Sequence, residues 1–480
     1  MNRIIPMKNV LILVLALVFV KAYSQSEKRV YSIMDANAEK LAKSSGAYSV
    51  SVGVVKDGKV YTRHFGELDK GKGNKADDNT YFEIASVTKL FTGQLLAKAV
   101  LDEKITLDDD IRKYLKGSYP NLEYKGTPIT IKDLISYKTA LPRTLPNDDA
   151  LRKNMTDETP FLYNKLNENY TKEQFKKDLA TVKPDTLPGV KYGYSNLSLE
   201  LTGLILENIY GKNYESLLKE NIFSKLGMNH TKLDLDKGEV AANGYHTSGR
   251  LMPSSISLLW GSGGSKTKST MGDMVKFLQE ELDSENKITQ ESQRNINNSQ
   301  EGWSGYFWDN YYISEKGKVG SKHGGAYGTQ TWFTVYPELN LGICMIVNIS
   351  GMNTGDALQT AASGLADDLI STSDKKEIFG YYLKGNKVVF SYIHPKNLDS
   401  KLINTVSVAG SFNDWKSEDK NFKLIKKENN RFELEVPQSN FEKGKDYSFK
   451  FVINNSGWLA APKNASNTDG SKYNSLLLKL

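Results

Sequence analysis

A serine and a lysine three residues apart form the first pair of side chains in this sequence that could do covalent chemistry. Ser86 and Lys89 lie in the tetrad Ser-Val-Thr-Lys, which follows a strand-like run at 81–84 and precedes an apolar helical pattern that begins at Leu90. At a helix start, unpaired N–H groups and the positive end of the helix dipole stabilise negative charge on a serine oxygen. The lysine lies one turn further on the same face, and burial would lower its pKa enough for the amine to accept the serine proton.

The tetrad alone is weak evidence for a nucleophile. The same spacing recurs elsewhere, for example at Ser265 and Lys268, and an N-cap serine followed by a surface lysine would give an identical pattern. Two further segments favour the catalytic interpretation.

The first of these segments places a phenol and an amide at a loop-to-helix junction. Tyr194 and Asn196 follow the loop 188–193 and stand before an apolar helical pattern. A phenol can relay protons, and an amide can hold either a substrate carbonyl or the lysine.

The second segment, 322–326, reads Lys-His-Gly-Gly-Ala and stands just before a predicted pair of strands. Gly324 and Gly325 would let a substrate backbone approach closely. The N–H of Ala326, together with that of Ser86, could form an oxyanion hole. The alternative is that His323 is a turn histidine and the glycines are a simple loop.

The elements around these residues indicate an α/β body. Alternation over 48–66, with a turn at 56–58, predicts a β-hairpin, and the segment 332–349 predicts two strands joined at 337–340. Helices are predicted from Leu90, after Asn196 and over 354–370. Because strands stand on both sides of the helical part, the sheet is expected to be built from both ends of the segment. The polar stretch 145–182 is expected to form an insertion or a lid.

The pattern changes after residue 370. Residues 372–376 are polar and are expected to be a linker. Residues 377–480 lack helical periodicity and contain short alternating runs at 387–393, 405–409, 431–436, 447–453 and 475–480. Turn residues separate these runs at the spacing of a β-sandwich, which predicts an independent all-β domain.

The N-terminus predicts export. Residues 1–24 combine Arg3 and Lys8 with an apolar run at 10–20 and small residues at 22 and 24, which is typical of a cleaved secretory signal peptide. The alternative is an anchoring helix that stays attached, but the apolar run is short for a membrane span. We therefore expect an exported protein, periplasmic or secreted, with no membrane span after cleavage.

Charge and composition argue against a nucleic-acid-binding, disulfide-bonded or metal-binding protein. Hydrophobic residues are 39% and charged residues 25% of the chain, as in ordinary soluble globular proteins. Removing Arg3, Lys8 and Lys21 with the signal peptide lowers the formal charge from +7 to +4 (7 − 3), which is no sign of nucleic-acid binding. The lone Cys344 allows no disulfide within one chain, and the scattered histidines lack metal-ligand spacing, so neither a metal nor a cofactor is expected.

The three motifs, in this order, resemble those of serine β-lactamases and penicillin-binding proteins. The Tyr-x-Asn form is similar to that of class C β-lactamases, D-aminopeptidases and related esterases, and the resemblance covers roughly residues 30–370. It implies a β-lactamase-like transpeptidase fold over 25–371, an α/β (α+β) fold whose antiparallel sheet is flanked by helices. It also implies that Ser86 is acylated, that Lys89 and Tyr194 share general-base and general-acid duty, and that Asn196 positions the substrate.

The sequence departs from this pattern at two places. His323 stands where many relatives have lysine, and the resemblance implies that it faces the substrate carboxylate or helps Tyr194 to lose its proton. Residues 136–142 read Ser-Tyr-Lys-Thr-Ala-Leu-Pro, where relatives usually have His-Thr-Ser-Gly-Leu-Pro, which leaves the local turn open.

The C-terminal domain closely resembles the glycogen-binding module of carbohydrate-binding family 48, an immunoglobulin-like sandwich. The resemblance implies that Trp415 and Trp458 stack on glucose rings, while Lys450 and Asn474 bond hydroxyl groups. A flat aromatic face suits the C–H face of a pyranose. The alternative is that both tryptophans serve core or inter-domain packing.

These inferences predict an exported serine hydrolase that cleaves an ester or amide through a covalent acyl-enzyme. The appended domain favours a carbohydrate-associated ester, with an α-glucan-like polysaccharide bound at the C-terminal module. The enzymatic alternatives are a D-amino-acid peptidase or DD-carboxypeptidase that acts on a peptidoglycan-derived substrate, and a β-lactamase. A non-catalytic glycan-binding protein is the remaining one.

Overall fold

The computed structural model describes residues 27–297, 305–314, 316–370, 378–394, 403–428, 430–462, 465–471 and 473–480. The predicted signal peptide at 1–24 and the predicted linker at 372–376 lie outside the described residues. Among the helices that are described, none combines the length and the apolar character needed to cross a bilayer.

Residues 27–370 form a mixed body of helices and strands. The helices are α1 (27–45), α2 (Thr88–Leu101), α3 (Ile131–Ile135), α4 (Asp149–Lys153), α5 (Thr159–Asn167), α6 (Lys172–Leu179), α7 (Asn196–Tyr210), α8 (Tyr214–Leu218), α9 (Ser224–Leu226), α10 (Met271–Leu282), α11 (Lys287–Ser292) and α12 (Thr354–Ile370). The strands are β1 (Ser49–Lys56), β2 (Lys59–Gly66), β3 (Phe82–Glu83), β4 (Glu123–Tyr124), β5 (Thr127–Pro128), β6 (Gly244–His246), β7 (Leu251–Met252), β8 (Lys268–Ser269), β9 (Asn310–Ser314), β10 (Gly317–Gly325), β11 (Gln330–Tyr336), β12 (Leu341–Val347) and β13 (Ile349–Ser350).

The main sheet has six antiparallel strands in the order β2-β1-β12-β11-β10-β9. The N-terminal hairpin joins the C-terminal strands at the β1–β12 pair, where Val52 lies opposite Met345. The prediction that the sheet draws on both ends of the segment is therefore confirmed. Since side chains alternate along a strand, Met345 packs in the core beside α1 and α12, whereas Cys344 packs in the core of the helical lobe.

Helix α2 differs from its sequence-based expectation. A helix at a protein surface usually buries one face, but every residue from Thr88 to Ala97 is buried. The reason is that α2 packs against three other helices, α7, α8 and α11. Gly93 permits this packing, because a Cβ there would lie 2.3 Å from the carbonyl oxygen of Tyr306.

The stretch 145–182 contains α4, α5 and α6 and packs along the body rather than extending into solvent. The Tyr163 ring of α5 stacks on that of Tyr327, in the turn between β10 and β11, with 6.2 Å between centroids. The Asn164 side chain donates to the carbonyl oxygen of Ser254 and accepts from the N–H of Ile256. These contacts attach the segment to the strand hairpin that carries the glycine motif.

A separate β-rich region follows at the C-terminus. Its strands are β14 (Tyr381–Lys384), β15 (Lys387–Ile393), β16 (Val406–Gly410), β17 (Ile425–Lys426), β18 (Arg431–Pro437), β19 (Tyr447–Ile453), β20 (Gly457–Trp458) and β21 (Leu476–Leu478). They form one sheet in the order β14-β15-β18-β17 and another in the order β16-β19-β20, with β21 pairing β19. The fully buried members of its core lie between Val388 and Leu478. The predicted runs 387–393 and 447–453 coincide with β15 and β19, whereas β14, β17 and β20 are too short to show alternation.

Candidate active site

Ser86 lies in a 3-10 turn, Ala85–Val87, that runs directly into α2. Its Oγ is 2.9 Å from Nζ of Lys89 and 2.8 Å from the phenol oxygen of Tyr194. Ala85 has a φ of +45°, so the chain turns sharply just before the serine. The structure thus brings together the hydroxyl, the amine and the phenol that the sequence singled out from two distant motifs.

Lys89 is completely buried, with 0% of its surface exposed. Its Nζ also donates to the carbonyl oxygen of Gly263. Burial lowers the pKa of Lys89 to about 7, with a smaller contribution from Arg143, although the charges of Asp309 and Glu200 oppose the shift. A substantial share of the amine is therefore neutral near pH 7 and able to accept a proton.

The Tyr194 ring lies among aromatic and cationic groups. It stacks on Tyr137 at a centroid distance of 5.1 Å and an interplanar angle of 23°. Lys89, Lys322 and Arg143 bring their charged groups to 5.1, 5.6 and 5.1 Å from its centroid. Burial raises the pKa of the Tyr194 phenol, and the Lys322 charge and the hydrogen bond with Ser86 partly offset that rise. The phenol is thus protonated near neutral pH and can donate.

Asn196 is the first residue of α7, and Ser195 caps this helix. The Ser195 hydroxyl accepts the N–H of Ser198 and donates to the carbonyl oxygen of Pro142, which ties the helix start to the loop after α3. The Oδ1 of Asn196 is buried and has no hydrogen-bond partner among the residues that the structure describes. A Cβ on Gly263 would lie 3.6 Å from this oxygen, so the amide lies beside the loop that Lys89 bonds.

In the glycine motif, the basic side chain beside Tyr194 belongs to the residue before the one that the sequence predicted. A Cβ on Gly324 would lie 2.3 Å from the carbonyl oxygen of Ile84, so this position faces the turn of the nucleophile. Lys322, two residues earlier, shares that face. Its Nζ lies 2.5 Å from an oxygen of Asp309 and 3.4 Å from the phenol oxygen of Tyr137. Lys322, not His323, is therefore the basic group of this strand beside Tyr194.

His323 points to the opposite face of the sheet. Its Nε2 is 2.9 Å from Oε1 of Gln330, and its ring lies 5.9 Å from that of Trp332. A Cβ on Gly355 of α12 would lie 3.2 Å from the same ring. The expectation that His323 faces the substrate or Tyr194 is not met, because alternation along β10 turns its side chain away from Ser86.

The candidate oxyanion-hole N–H on β10 likewise belongs to the residue before the one that the sequence predicted. The N–H of Ala326 donates to the carbonyl oxygen of Thr329 and closes the β10–β11 turn, so it is not free for a substrate. Peptide groups point alternately to the two sides of a strand. The N–H of His323 points away from β11 to Asp309, and that of Gly325 points the same way. Gly325 and Ser86, whose N–H has no partner within its helical turn, are the candidate pair.

Three residues that the sequence analysis did not single out complete the site. Glu200, one turn after Asn196 on α7, accepts from the N–H groups of Gly261 and Gly263 and so holds the loop that Lys89 bonds. Asp309 holds Lys322 and the backbone of β10. Tyr137 lies in the segment that departs from the family pattern. The turn there keeps its left-handed residue without glycine, since Ala140 has a φ of +56°.

The C-terminal region places two tryptophans together at its surface. Trp415 and Trp458 are 38% and 44% exposed, and their ring centroids are 6.2 Å apart. Trp458 lies opposite Val452, two residues from Lys450 on β19, so Trp458 and Lys450 share one face of the sheet. The Asn474 amide donates to the carbonyl oxygen of Ala461. Because both tryptophan rings are exposed, they lie outside the core of this region.

The described residues contain no group of three or more His, Cys, Asp or Glu side chains arranged to hold a metal.

Comparisons with known proteins agree with this arrangement. The profile of the Beta-lactamase family matches residues 34–367. The D-alanyl-D-alanine-carboxypeptidase/endopeptidase AmpH of Escherichia coli is 28% identical over 356 residues, 70% of this chain and 89% of that protein. Protein flp of Staphylococcus aureus is 25% identical over 62% of this chain and 59% of that protein. The crystal structure of a β-lactamase/D-alanine carboxypeptidase from Yersinia pestis, complexed with citrate, superposes with a TM-score of 0.59 at 25% identity, covering 71% of this chain and 99% of that one.

The lowered pKa of Lys89 predicts the pH dependence of acylation. Because the amine is protonated below its pKa of about 7, kcat/KM for a p-nitrophenyl ester should fall as the pH drops through that value and reach a plateau above it. Lys89→Arg keeps a permanent charge and should be inactive at every pH. An acid limb far from neutrality, or an active Lys89→Arg variant, would contradict the assignment of the base.

The register of β10 predicts opposite outcomes for neighbouring substitutions. Lys322→Gln removes the cation beside Tyr194, and we expect kcat/KM to fall by about 100-fold, as when a stabilising group of a transition state is lost. His323→Gln alters only the opposite face and should change kcat/KM by less than about threefold. Thermal melting of both variants separates loss of activity from loss of folding. A larger effect at His323 would restore the original sequence interpretation.

Proposed function

Since the chain belongs to the β-lactamase family and is a serine hydrolase, we propose that it hydrolyses D-alanyl-terminated peptides derived from peptidoglycan, as a carboxypeptidase or endopeptidase. The observation that carries this proposal is the Oγ of Ser86 held between the Lys89 amine and the Tyr194 phenol. AmpH, a D-alanyl-D-alanine-carboxypeptidase/endopeptidase that aligns with this chain over 89% of its length, supports a peptide as the substrate.

Acylation starts with the transfer of the Ser86 proton to the neutral amine of Lys89 as Oγ attacks the substrate carbonyl. The carbonyl oxygen becomes an oxyanion between the N–H groups of Ser86 and Gly325. Tyr194 donates its proton to the leaving amine as the C–N bond breaks. The proton taken up by Lys89 then returns to the phenolate, so that both groups recover their starting protonation. The products are a free amine and an ester on Ser86.

Deacylation repeats these steps with water as the nucleophile. Tyr194 or Lys89 accepts a proton from the water, the oxyanion occupies the same pair of N–H groups, and the Ser86 oxygen leaves with a proton. Asn196, whose amide lies close to Gly263 in the loop that Lys89 bonds, orients the substrate. A predicted signal peptide at 1–24 would deliver the protein outside the cytoplasm, where peptidoglycan lies.

A covalent probe and a substrate panel test this proposal. A fluorophosphonate or penicillin should add its mass to the wild-type protein and not to Ser86→Ala. Purified protein should release D-alanine from D-alanyl-D-alanine peptides faster than it opens nitrocefin or cleaves acetylated glycans. Labelling without peptide turnover would favour another ester or amide, and the absence of labelling would favour a non-catalytic binding protein.

The tryptophan pair favours a second function for the C-terminal region. We propose that residues 377–480 form an immunoglobulin-like module, separate from the hydrolase domain at 25–371, that binds an α-glucan-like polysaccharide. Two exposed rings 6.2 Å apart offer an apolar surface to successive sugar rings. A module of this kind would direct the hydrolase to a carbohydrate-associated ester, which is the competing substrate class.

Retention on an insoluble glucan tests the module. Trp415→Ala and Trp458→Ala should each reduce retention on glycogen or starch gels several-fold, since each substitution removes one of the two rings that stack on the sugar. Tyr382, which is also exposed but lies on the other sheet, supplies the matched control Tyr382→Ala. Equal retention of all variants would leave the tryptophans without a role in sugar binding.

A further inference from the structure

Arg143 is the one of the three cations around Tyr194 that has no hydrogen-bond or ion-pair partner among the described residues. Lys89 bonds Ser86 and Gly263, and Lys322 is paired with Asp309. Across the described part of the chain, the guanidinium of Arg143 makes neither a hydrogen bond nor an ion pair within 4 Å, although its Cζ is 5.1 Å from the Tyr194 centroid. Five N–H donors therefore lie beside Tyr194 without an acceptor in the described part of the protein.

The backbone around Arg143 is fixed. The carbonyl oxygen of Arg143 accepts the N–H of Leu197, and the preceding carbonyl, of Pro142, accepts the Ser195 hydroxyl. Both bonds attach this loop to the start of α7. The guanidinium is consequently held on the Asn196 side of the cleft, whereas Gly325 and Lys322 lie on the β10 side.

Acidic groups near Arg143 do not neutralise it by pairing. Burial raises the pKa of the Asp148 carboxyl, and the charge of Arg143 opposes that rise. No ion pair joins the two side chains. Asp309 is engaged by Lys322, and Glu200 by backbone N–H groups. A partly buried arginine without a partner is uncommon, and the planar fork matches a carboxylate in a bidentate manner.

We propose that Arg143 is a specificity-determining residue that binds a carboxylate of the substrate on the Asn196 side of the cleft. The inference deepens the proposed function and rests on it, because it names substrates that carry a free carboxylate close to the scissile bond. Two parts of such a substrate could supply the carboxylate: the leaving group, as the C-terminus of a peptide, or a side chain of the acyl group. The two sources present the same chemistry to the guanidinium.

Aryl esters that differ in one carboxylate test the proposal without requiring peptidase activity. A 3-carboxyphenyl ester is compared with the phenyl ester for the leaving group, and a succinyl ester with a butyryl ester for the acyl group. For each pair, the ratio of kcat/KM with and without the carboxylate is measured on the wild-type protein, Arg143→Gln and the control Arg152→Gln. Arg152 is exposed on α4 of the following segment and loses the same charge. All assays are run at pH 9, above the pKa of Lys89.

We expect Arg143→Gln to lower one of these ratios by about 30-fold, the effect of one hydrogen-bonded charge, while Arg152→Gln leaves both ratios unchanged. The ratio that falls identifies the source of the carboxylate. If Arg143→Gln leaves both ratios unchanged, or lowers them no more than Arg152→Gln does, the proposal is wrong. The failure of the proposed function would look different, since the wild-type protein would then cleave esters but release no D-alanine from peptides.

Discussion

The arrangement of the site depends on an amine buried without a carboxylate beside it. Lys89 is excluded from water, and desolvation lowers its pKa because the charged form loses hydration. A carboxylate in contact would reverse that effect. Both acids whose charge reaches Lys89 are occupied elsewhere: Glu200 bonds the backbone of the 261–263 loop, and Asp309 pairs with Lys322. The same two acids thus build the walls of the site and leave the amine able to accept a proton.

Strand β10 presents different side chains to the two faces of the main sheet. On the face toward the helical lobe, Lys322 approaches Tyr194 and Gly324 admits the backbone of Ile84. On the other face, His323 packs beside Trp332 and α12. The strand can serve both cores because its side chains alternate. A shift of one residue in its pairing would exchange the roles of lysine and histidine.

The parts of the site that the sequence predicted are local, and the parts it missed depend on distant pairing. Ser86 and Lys89 share one helical turn, and Tyr194 and Asn196 share one helix start, so spacing alone relates them. The choice between Lys322 and His323 depends on the register of β10 with β9 and β11, which the sequence of one strand does not encode. Asp309 and Glu200 were missed because each acts through a contact outside its own element: Asp309 bonds Lys322 on β10, 13 residues further on, and Glu200 bonds Gly261, 61 residues further on. The fold was easier to predict from the sequence than the site, since the hairpin 48–66 and the helix 354–370 carry strong periodic patterns.

The contact between the C-terminal β-rich region and the main sheet has a consequence for solubility. Strand β9 ends the main sheet, and the unpaired peptide groups of such a border strand can recruit strands from other molecules. Strand β20 lies against β9, where a Cβ on Gly457 would be 3.4 Å from the carbonyl oxygen of Ile313. At the opposite border, β2 carries Lys59 and Arg63, whose charges discourage the same event. The appended region therefore protects the hydrolase from self-association at one border, while charge protects the other.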